Sequence, residues 1–86
     1  MKFVDTATCT TERFSIGREA ESGRFYLSLP VSNRLCDYEE YYEIAQSDHD
    51  AYPSNLPYLV AFAAQCRERR NDALLIVPPG ADRGIA

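Results

Sequence analysis

The sequence has no tryptophan and one histidine, and its three cysteines are widely spaced. Cys9, Cys36 and Cys66 contain no C-x-x-C pair, so neither a disulfide framework nor a zinc motif is indicated. We therefore expect reduced thiols in a cytosolic protein. The single histidine, His49, lies between two aspartates, and the chain has no G-x-S-x-G nucleophile motif and no local cysteine-protease signature. These absences give no indication of histidine-dependent catalysis.

Long apolar runs are also missing. No stretch approaches the roughly 18 residues of a membrane span, and the opening MKFVDTATCTTERF lacks the apolar middle of a signal peptide. We expect a cytoplasmic location and no membrane partner. A chain of 86 residues can build one domain with a small core. We assign residues 1–79 to that domain and expect residues 80–86, with few apolar groups, to form a loose tail.

Metal and nucleotide motifs fail at their key positions. The segment DHDAYPSN opens like a calcium loop, but Pro53 stands where the turn of that loop needs glycine, and Leu59 replaces the bidentate glutamate. The segment PPGADRG lacks the lysine and the Ser/Thr of a phosphate loop. We therefore expect no metal ion and no cofactor.

Positive charge is absent from one segment. Residues 37–50 contain six acidic side chains and no basic one, in a chain whose net charge is −4. A surface of this kind repels phosphate backbones and attracts basic proteins. We expect no nucleic-acid binding, although aromatic residues occur in the same segment, because stacking platforms for RNA are surrounded by basic side chains.

Alternation at period two predicts strands in the first half of the chain. KFVDTATCT and ERFSIGR are strand candidates, and Gly23 favours a turn before the next one. In RFYLSLPV the side chains of Phe25, Leu27, Leu29 and Val31 fall on one side, and Pro30 places the strand end or a sheet edge at that point.

The second half of the chain predicts helices and a last strand. Ser47 suits the cap of a short helix, and Asn55 suits the cap of a longer one over YLVAFAAQCRERR. ALLIV, stopped by two prolines, favours a short buried strand. The predicted fold class is α+β, with a small, mostly antiparallel β-sheet and one main α-helix packed on one face.

The segment after Cys36 permits two interpretations. In a helix, Tyr38, Tyr41, Tyr42 and Ala45 share a stripe. In a strand, the side chains alternate between two faces. We favour the strand because tyrosine and isoleucine prefer sheets and because only a short loop separates the segment from the preceding strand. One strand face then carries Asp37, Glu39, Tyr41 and Glu43, and the other carries Tyr38, Glu40, Tyr42 and Ile44.

Tyrosines and carboxylates together suggest a protein-binding surface at residues 37–43. Tyrosine is common at binding hot spots, and clustered carboxylates accelerate association with a basic partner. The candidate contact residues are Asp37, Tyr38, Glu39, Glu40, Tyr41, Tyr42 and Glu43. The chain would then be a small inhibitor or adaptor, by analogy of size and charge with immunity-type proteins that mask a nuclease. Three alternatives remain: a solvated strand face, a homodimeric structural or adaptor domain, and an enzyme with an unrecognised site.

Overall fold

The computed structural model describes all 86 residues as a four-stranded antiparallel sheet with two helices. The strands are β1 (Phe3–Cys9), β2 (Phe14–Glu19), β3 (Phe25–Ser32) and β4 (Asp37–Ile44), and the helices are α1 (Gln46–Ala51) and α2 (Leu56–Arg67). A short 3₁₀ turn follows at Asp72–Leu74. The strands lie in the sheet in chain order. The predicted α+β class, with a mostly antiparallel sheet and one main helix, is confirmed.

The segment 37–44 is a strand, as predicted. It pairs with β3 so that Tyr42 lies opposite Leu27 and Tyr41 lies opposite Ser28. Asn33 closes the loop between the two strands, because its side-chain oxygen accepts hydrogen bonds from the backbone N–H groups of Leu35 and Cys36. Strand β2 pairs with β3 only as far as Ser28. At Pro30, β3 therefore has a neighbouring strand on one side only, and this part of β3 is a sheet edge.

One face of the sheet packs against α2 and forms the core. The helix contributes Leu59, Ala63 and Cys66, and the strands contribute the apolar positions that alternation predicted on β3. Burying a leucine-sized side chain stabilises the fold by about 1.5–3 kcal/mol. The buried cluster comprises Cys9, Phe14, Ile16, Leu27, Leu29, Tyr42, Ile44, Leu59, Ala63 and Cys66.

The predicted strand at ALLIV is wrong. Residues 72–74 form the 3₁₀ turn, and only two residues beyond it pair with β4: Leu75 bridges to Tyr42, and the Ile76 N–H donates to the Tyr41 carbonyl at 2.9 Å. Pro78 and Pro79 follow at once and cannot donate to a ladder. The segment is therefore too short to pair as a strand.

The start of α1 differs from the sequence prediction, and α2 starts where predicted but without the expected side-chain cap. Helix α1 begins at Gln46 with Ala45 in the cap position, and no side chain caps it. Asn55 does precede α2, but its side-chain amide donates to the Asp48 carbonyl instead of capping the helix. Neither helix is long and apolar enough to cross a lipid bilayer.

Residues 82–85 pack against the sheet, whereas the sequence analysis expects a loose tail. Ile85 and Ser32 exchange two backbone hydrogen bonds, of 2.9 and 3.2 Å. The Gly84 N–H donates to the Tyr38 hydroxyl at 2.7 Å, and the Gly84 carbonyl accepts from Arg69. These contacts are polar, so a count of apolar residues gives no sign of them.

A buried carboxylate, that of Glu19, joins the N-terminus to the turn between β2 and β3. It is fully buried and accepts hydrogen bonds from the backbone N–H groups of Lys2, Glu21 and Ser22, at 2.7, 3.0 and 2.7 Å. These donors favour the charged form and hold the pKa of Glu19 at about 2. The carboxylate therefore takes the place of backbone acceptors that the turn does not provide.

The first prediction concerns Glu19 and acid. A carboxyl group whose pKa is lowered in the folded state stabilises that state above its unfolded pKa, near 4.5, and loses this contribution as the pH falls towards 2. We expect Glu19→Gln to reduce the free energy of unfolding at pH 7, and the difference from the wild type to shrink between pH 4.5 and 2. Urea unfolding at a series of pH values measures this. A difference that stays constant over that range would contradict the assignment.

Candidate binding face

The sheet face turned away from α2 is the candidate functional surface, and we call it the outer face. Leu27 and Tyr42 point into the core, so the side chains next to them along each strand point the other way. Helix α1 contacts β3 through Phe25, which is on the core side. The central residues of the outer face are Phe3, Asp5, Tyr26, Ser28, Glu39 and Tyr41.

The residues predicted from sequence to bind a partner divide between the two faces. Tyr42 is completely buried in the core, and Glu40 is only 7% exposed. Tyr38, on the same face, accepts the hydrogen bond from the Gly84 N–H. These three side chains are occupied within the chain. The outer face retains the other four predicted residues, which are Asp37, Glu39, Tyr41 and Glu43.

Glu40 is held in an ion-pair network rather than on a binding surface. Arg83 donates from Nε to the Glu40 carboxylate at 2.8 Å and from both terminal nitrogens to Asp72, at 2.7 and 2.9 Å. The Tyr42 hydroxyl donates to the same Glu40 carboxylate at 2.8 Å. The two carboxylates raise the pKa of Arg83, and Arg83 lowers the pKa of Asp72. The network joins the C-terminal segment to β4.

Three aromatic rings from different strands form the centre of the outer face. Phe3 of β1 stacks on Tyr41 of β4, with ring centroids 3.7 Å apart and planes 13° apart. Tyr26 of β3 lies roughly perpendicular to both rings, with its centroid 5.4 Å from that of Phe3 and 5.0 Å from that of Tyr41. The pair therefore stands over Tyr26, which is fully buried although no helix covers it.

A glycine in β2 makes room for the Tyr26 ring. A side chain at Gly17 would overlap with the Tyr26 hydroxyl group and with the Val4 carbonyl. An aromatic ring lying across a strand glycine shields the exposed backbone there. The Tyr26 hydroxyl then reaches Asp5 on β1 and donates to its carboxylate at 2.6 Å. This one side chain therefore spans β3, β2 and β1.

Two carboxylates flank the aromatic rings without a cation. Burial raises the pKa of Glu39, and the negative charge of Asp5 adds to the rise. Burial and the charges of the same two carboxylates also raise the pKa of Tyr41. Asp5 and Glu39 therefore act on the same ring hydroxyl from β1 and β4. Neither forms an ion pair, whereas the neighbouring outer-face carboxylate of Glu43 is paired with Arg24 at 2.8 Å.

Ser28 of β3 lies opposite Tyr41 and is fully buried. Its hydroxyl is close enough to Glu39 to oppose part of the rise in the pKa of that carboxyl group. Its Oγ nevertheless makes no hydrogen bond of good geometry in the chain. A buried hydroxyl without a partner costs about 1–3 kcal/mol, so this position is one of the few polar defects of the structure.

A shallow cleft of about 240 Å³ adjoins Glu39 at one end of the outer face. Its lining includes Thr8 and Ser15, whose hydroxyl groups are hydrogen-bonded to each other at 3.0 Å. Arg13 and Glu39 also line it. Glu39 thus lies at the junction between the aromatic rings and a polar cleft.

Sequence reasoning missed three residues of this surface, Phe3, Asp5 and Tyr26. Alternation along β3 does place Tyr26 on the polar side, and that signal was available. The position of Phe3 and Asp5 depends on the register of β1 against β2, which shifts between Asp5 and Ala7. A bulge of this kind changes which side chains share a face, so alternation within β1 could not find them.

His49, the single histidine, has both ring nitrogens occupied. Nε2 lies 2.7 Å from the Thr6 hydroxyl and Nδ1 lies 2.8 Å from the Asp50 carboxylate. The buried Cys66 has a pKa raised to about 11 by burial, which leaves its thiol unreactive. No three His, Cys, Asp or Glu side chains come together as a metal site would need. His49, Cys66 and the acidic side chains thus provide no catalytic or metal site, and the outer face remains the candidate surface.

No protein family, curated protein or solved structure matches the chain.

The second prediction concerns the Arg83 network. Arg83→Met should lower the free energy of unfolding by about 3 kcal/mol, because it leaves Glu40 buried without its cation. The matched control is Arg70→Met, since Arg70 forms an exposed pair with Glu68 and should contribute less than about 1 kcal/mol. Chemical denaturation of both variants gives the comparison. Equal free energies for Arg83→Met and the wild type would mean that the C-terminal segment adds nothing to stability.

Proposed function

We propose that the chain is a small cytosolic protein-binding module that engages a basic protein partner through its outer face. The observation that carries the proposal is the pair of carboxylates, Asp5 and Glu39, which flank a partly exposed aromatic group without a cation. The role would be that of an inhibitor or adaptor, of the kind that masks a basic surface on another protein.

The distribution of ion pairs supports a cationic partner. Elsewhere the chain supplies its own partner for a buried or partly buried carboxylate: Arg83 for Glu40 and Arg24 for Glu43. Asp5 and Glu39 are exposed, and the chain places these like charges near each other without a cation. A positive group from another molecule would relieve their repulsion.

The aromatic rings support a protein rather than an ion as the partner. Tyrosine provides a large contact area with little loss of side-chain freedom, and it is enriched at interface hot spots. Tyr41 is half-buried, and its ring is fixed in place by Phe3 and Tyr26. Because the uncompensated charge here is negative, a nucleic-acid backbone would be repelled. Asp37, Glu39 and Glu43 would extend the contact along β4.

The third prediction tests this proposal with matched tyrosines. Proteins captured from a native lysate by the wild type should be compared with those captured by Tyr41→Ala and by Tyr58→Ala, since Tyr58 is 54% exposed on α2. We expect a basic protein that is retained by the Tyr58 variant and lost by the Tyr41 variant, because a central hot-spot tyrosine contributes about 2 kcal/mol or more. Quantitative mass spectrometry measures the retention.

A variant that changes only charge distinguishes a loss of partner contact from a loss of folding in that experiment. Asp5→Asn with Glu39→Gln keeps the hydrogen-bond acceptor of Tyr26 and removes both charges. It should slow association with the captured partner and reduce its salt dependence, with a smaller effect on dissociation. Far-ultraviolet circular dichroism checks that each variant is folded. If Tyr41→Ala and the Asp5→Asn, Glu39→Gln double variant are both folded and bind every captured protein as the wild type does, the outer face is only a solvated sheet surface.

A second candidate function, a homodimeric structural or adaptor domain, is favoured by α2. No charged side chain occurs between Leu56 and Cys66, and the solvent-facing stripe consists of Pro57, Tyr58, Ala61 and Ala64. A helix that is apolar on all sides is normally covered. A second copy of the chain would supply that cover and enlarge a small core.

The fourth prediction concerns this dimer. Light scattering should give a mass near twice 9.7 kDa at hundreds of micromolar, and Ala61→Glu should return it to one chain by placing a charge in the helix contact. Ala81→Glu, in an exposed turn far along the chain from α2, is the control. A wild-type mass that remains near 9.7 kDa at these concentrations would remove the dimer from consideration.

A further inference from the structure

The junction at Glu39 has the features of a site for a single cationic side chain. Asp5 provides a second negative charge, the ring of Tyr41 provides a flat apolar surface, and the adjoining cleft of about 240 Å³ has room for a side chain. Arg13 also lines the cleft, but it forms no ion pair with Glu39. On β4, only the carboxylates of Glu40 and Glu43 form ion pairs. The charge at Glu39 is left for a group from outside the chain.

The aromatic stack occupies one face of the Tyr41 ring. Phe3 covers one face of the Tyr41 ring in a parallel stack, and Tyr26 lies at the edge of that ring. The second ring face therefore has no aromatic partner. A planar guanidinium stacks on such a face and gains a cation–π contribution, whereas a lysine ammonium is a compact, strongly hydrated charge that does not stack.

The buried hydroxyl of Ser28 is a second sign that the site is incomplete. Its Oγ makes no hydrogen bond of good geometry in the chain, although the Glu39 carboxylate is close by. A carboxylate has four lone-pair positions, so Glu39 can accept from Ser28 and from two donors of a guanidinium at the same time. A ligand that draws Glu39 into a fixed orientation would allow the Ser28 bond to form.

We propose that the outer face binds one arginine side chain of the partner protein, with its guanidinium paired to Glu39 and stacked on the face of the Tyr41 ring that Phe3 does not cover. Asp5 supplies the second charge from the opposite side of the aromatic rings, and Ser28 holds the Glu39 carboxylate in position. This inference rests on the proposed function, and it adds the chemical group that is recognised and the reason for preferring arginine over lysine.

Blocked tripeptides test the inference without a known partner. Acetyl-Gly-Arg-Gly-amide, its lysine analogue and its norleucine analogue are titrated into the ¹⁵N-labelled protein, and amide chemical shifts are followed by NMR. The arginine peptide should shift the amides of Ser28, Glu39 and Tyr41, and it should bind several-fold more tightly than the lysine peptide. The norleucine peptide should cause no shifts at these positions.

Two glutamate substitutions make the result specific. Glu39→Gln should weaken arginine-peptide binding about tenfold, as expected for the loss of a charge-assisted hydrogen-bond pair. Glu68→Gln is the control, because Glu68 follows α2, away from the outer face, and pairs with Arg70, and it should leave binding unchanged. Equal binding of the arginine and lysine peptides, or unchanged binding by Glu39→Gln, would overturn the inference.

The outcome separates this inference from the proposed function. A captured protein that depends on Tyr41, together with arginine peptides that do not bind at Glu39, would leave the binding function in place and reject arginine recognition. Arginine-selective shifts that vanish in Glu39→Gln would support the inference even before a partner is known.

Discussion

The burial of Tyr26 on the uncovered side of the sheet is the constraint on which the outer face depends. A tyrosine without helix cover becomes buried only if other side chains close over it, and here Phe3 and Tyr41 do so from the two edge strands. The absence of a side chain at Gly17 lets the ring lie flat across β2, and Asp5 provides the acceptor for its hydroxyl. All four strands therefore contribute to one cluster, and the sheet gains a second, smaller core on the face that no helix covers.

The same arrangement separates two groups of carboxylates. Glu19 and Glu40 are buried, and each has donors within the chain that satisfy it: backbone N–H groups in one case and Arg83 with Tyr42 in the other. Asp5 and Glu39 form no ion pair within the chain, whereas Arg83 pairs with Glu40 on the core side and Arg24 pairs with Glu43 near the end of β4. Within the acidic segment of the sequence, strand alternation on β4 thus separates Glu40, which is paired inside the chain, from Glu39, which is not.

Strand alternation and turn chemistry were sufficient to predict the α+β class and the strands β3 and β4, but not the last strand, which was expected at ALLIV and does not form. The pattern of Phe25, Leu27, Leu29 and Val31 placed the core side of β3, and the short loop after it placed β4 alongside. The features that sequence could not give are those set by contacts distant in the chain. The bulge in β1 decides where Asp5 points, and Arg83 reaches Glu40 across 43 positions. Neither depends on local propensity, so neither appears in periodicity or composition.

The aromatic cluster also determines how the outer face can bind. Tyr41 is fixed by a stack on Phe3 and by contact with Tyr26, so its ring loses little freedom when a partner arrives. Preorganisation of this kind reduces the entropic cost of association, which matters for a surface as small as that of an 86-residue chain. The same fixed ring is part of the cover over Tyr26, so contact and stability share one side chain. Because of this overlap, charge substitutions at Asp5 and Glu39 can separate recognition from folding, whereas truncation of Tyr41 alters both.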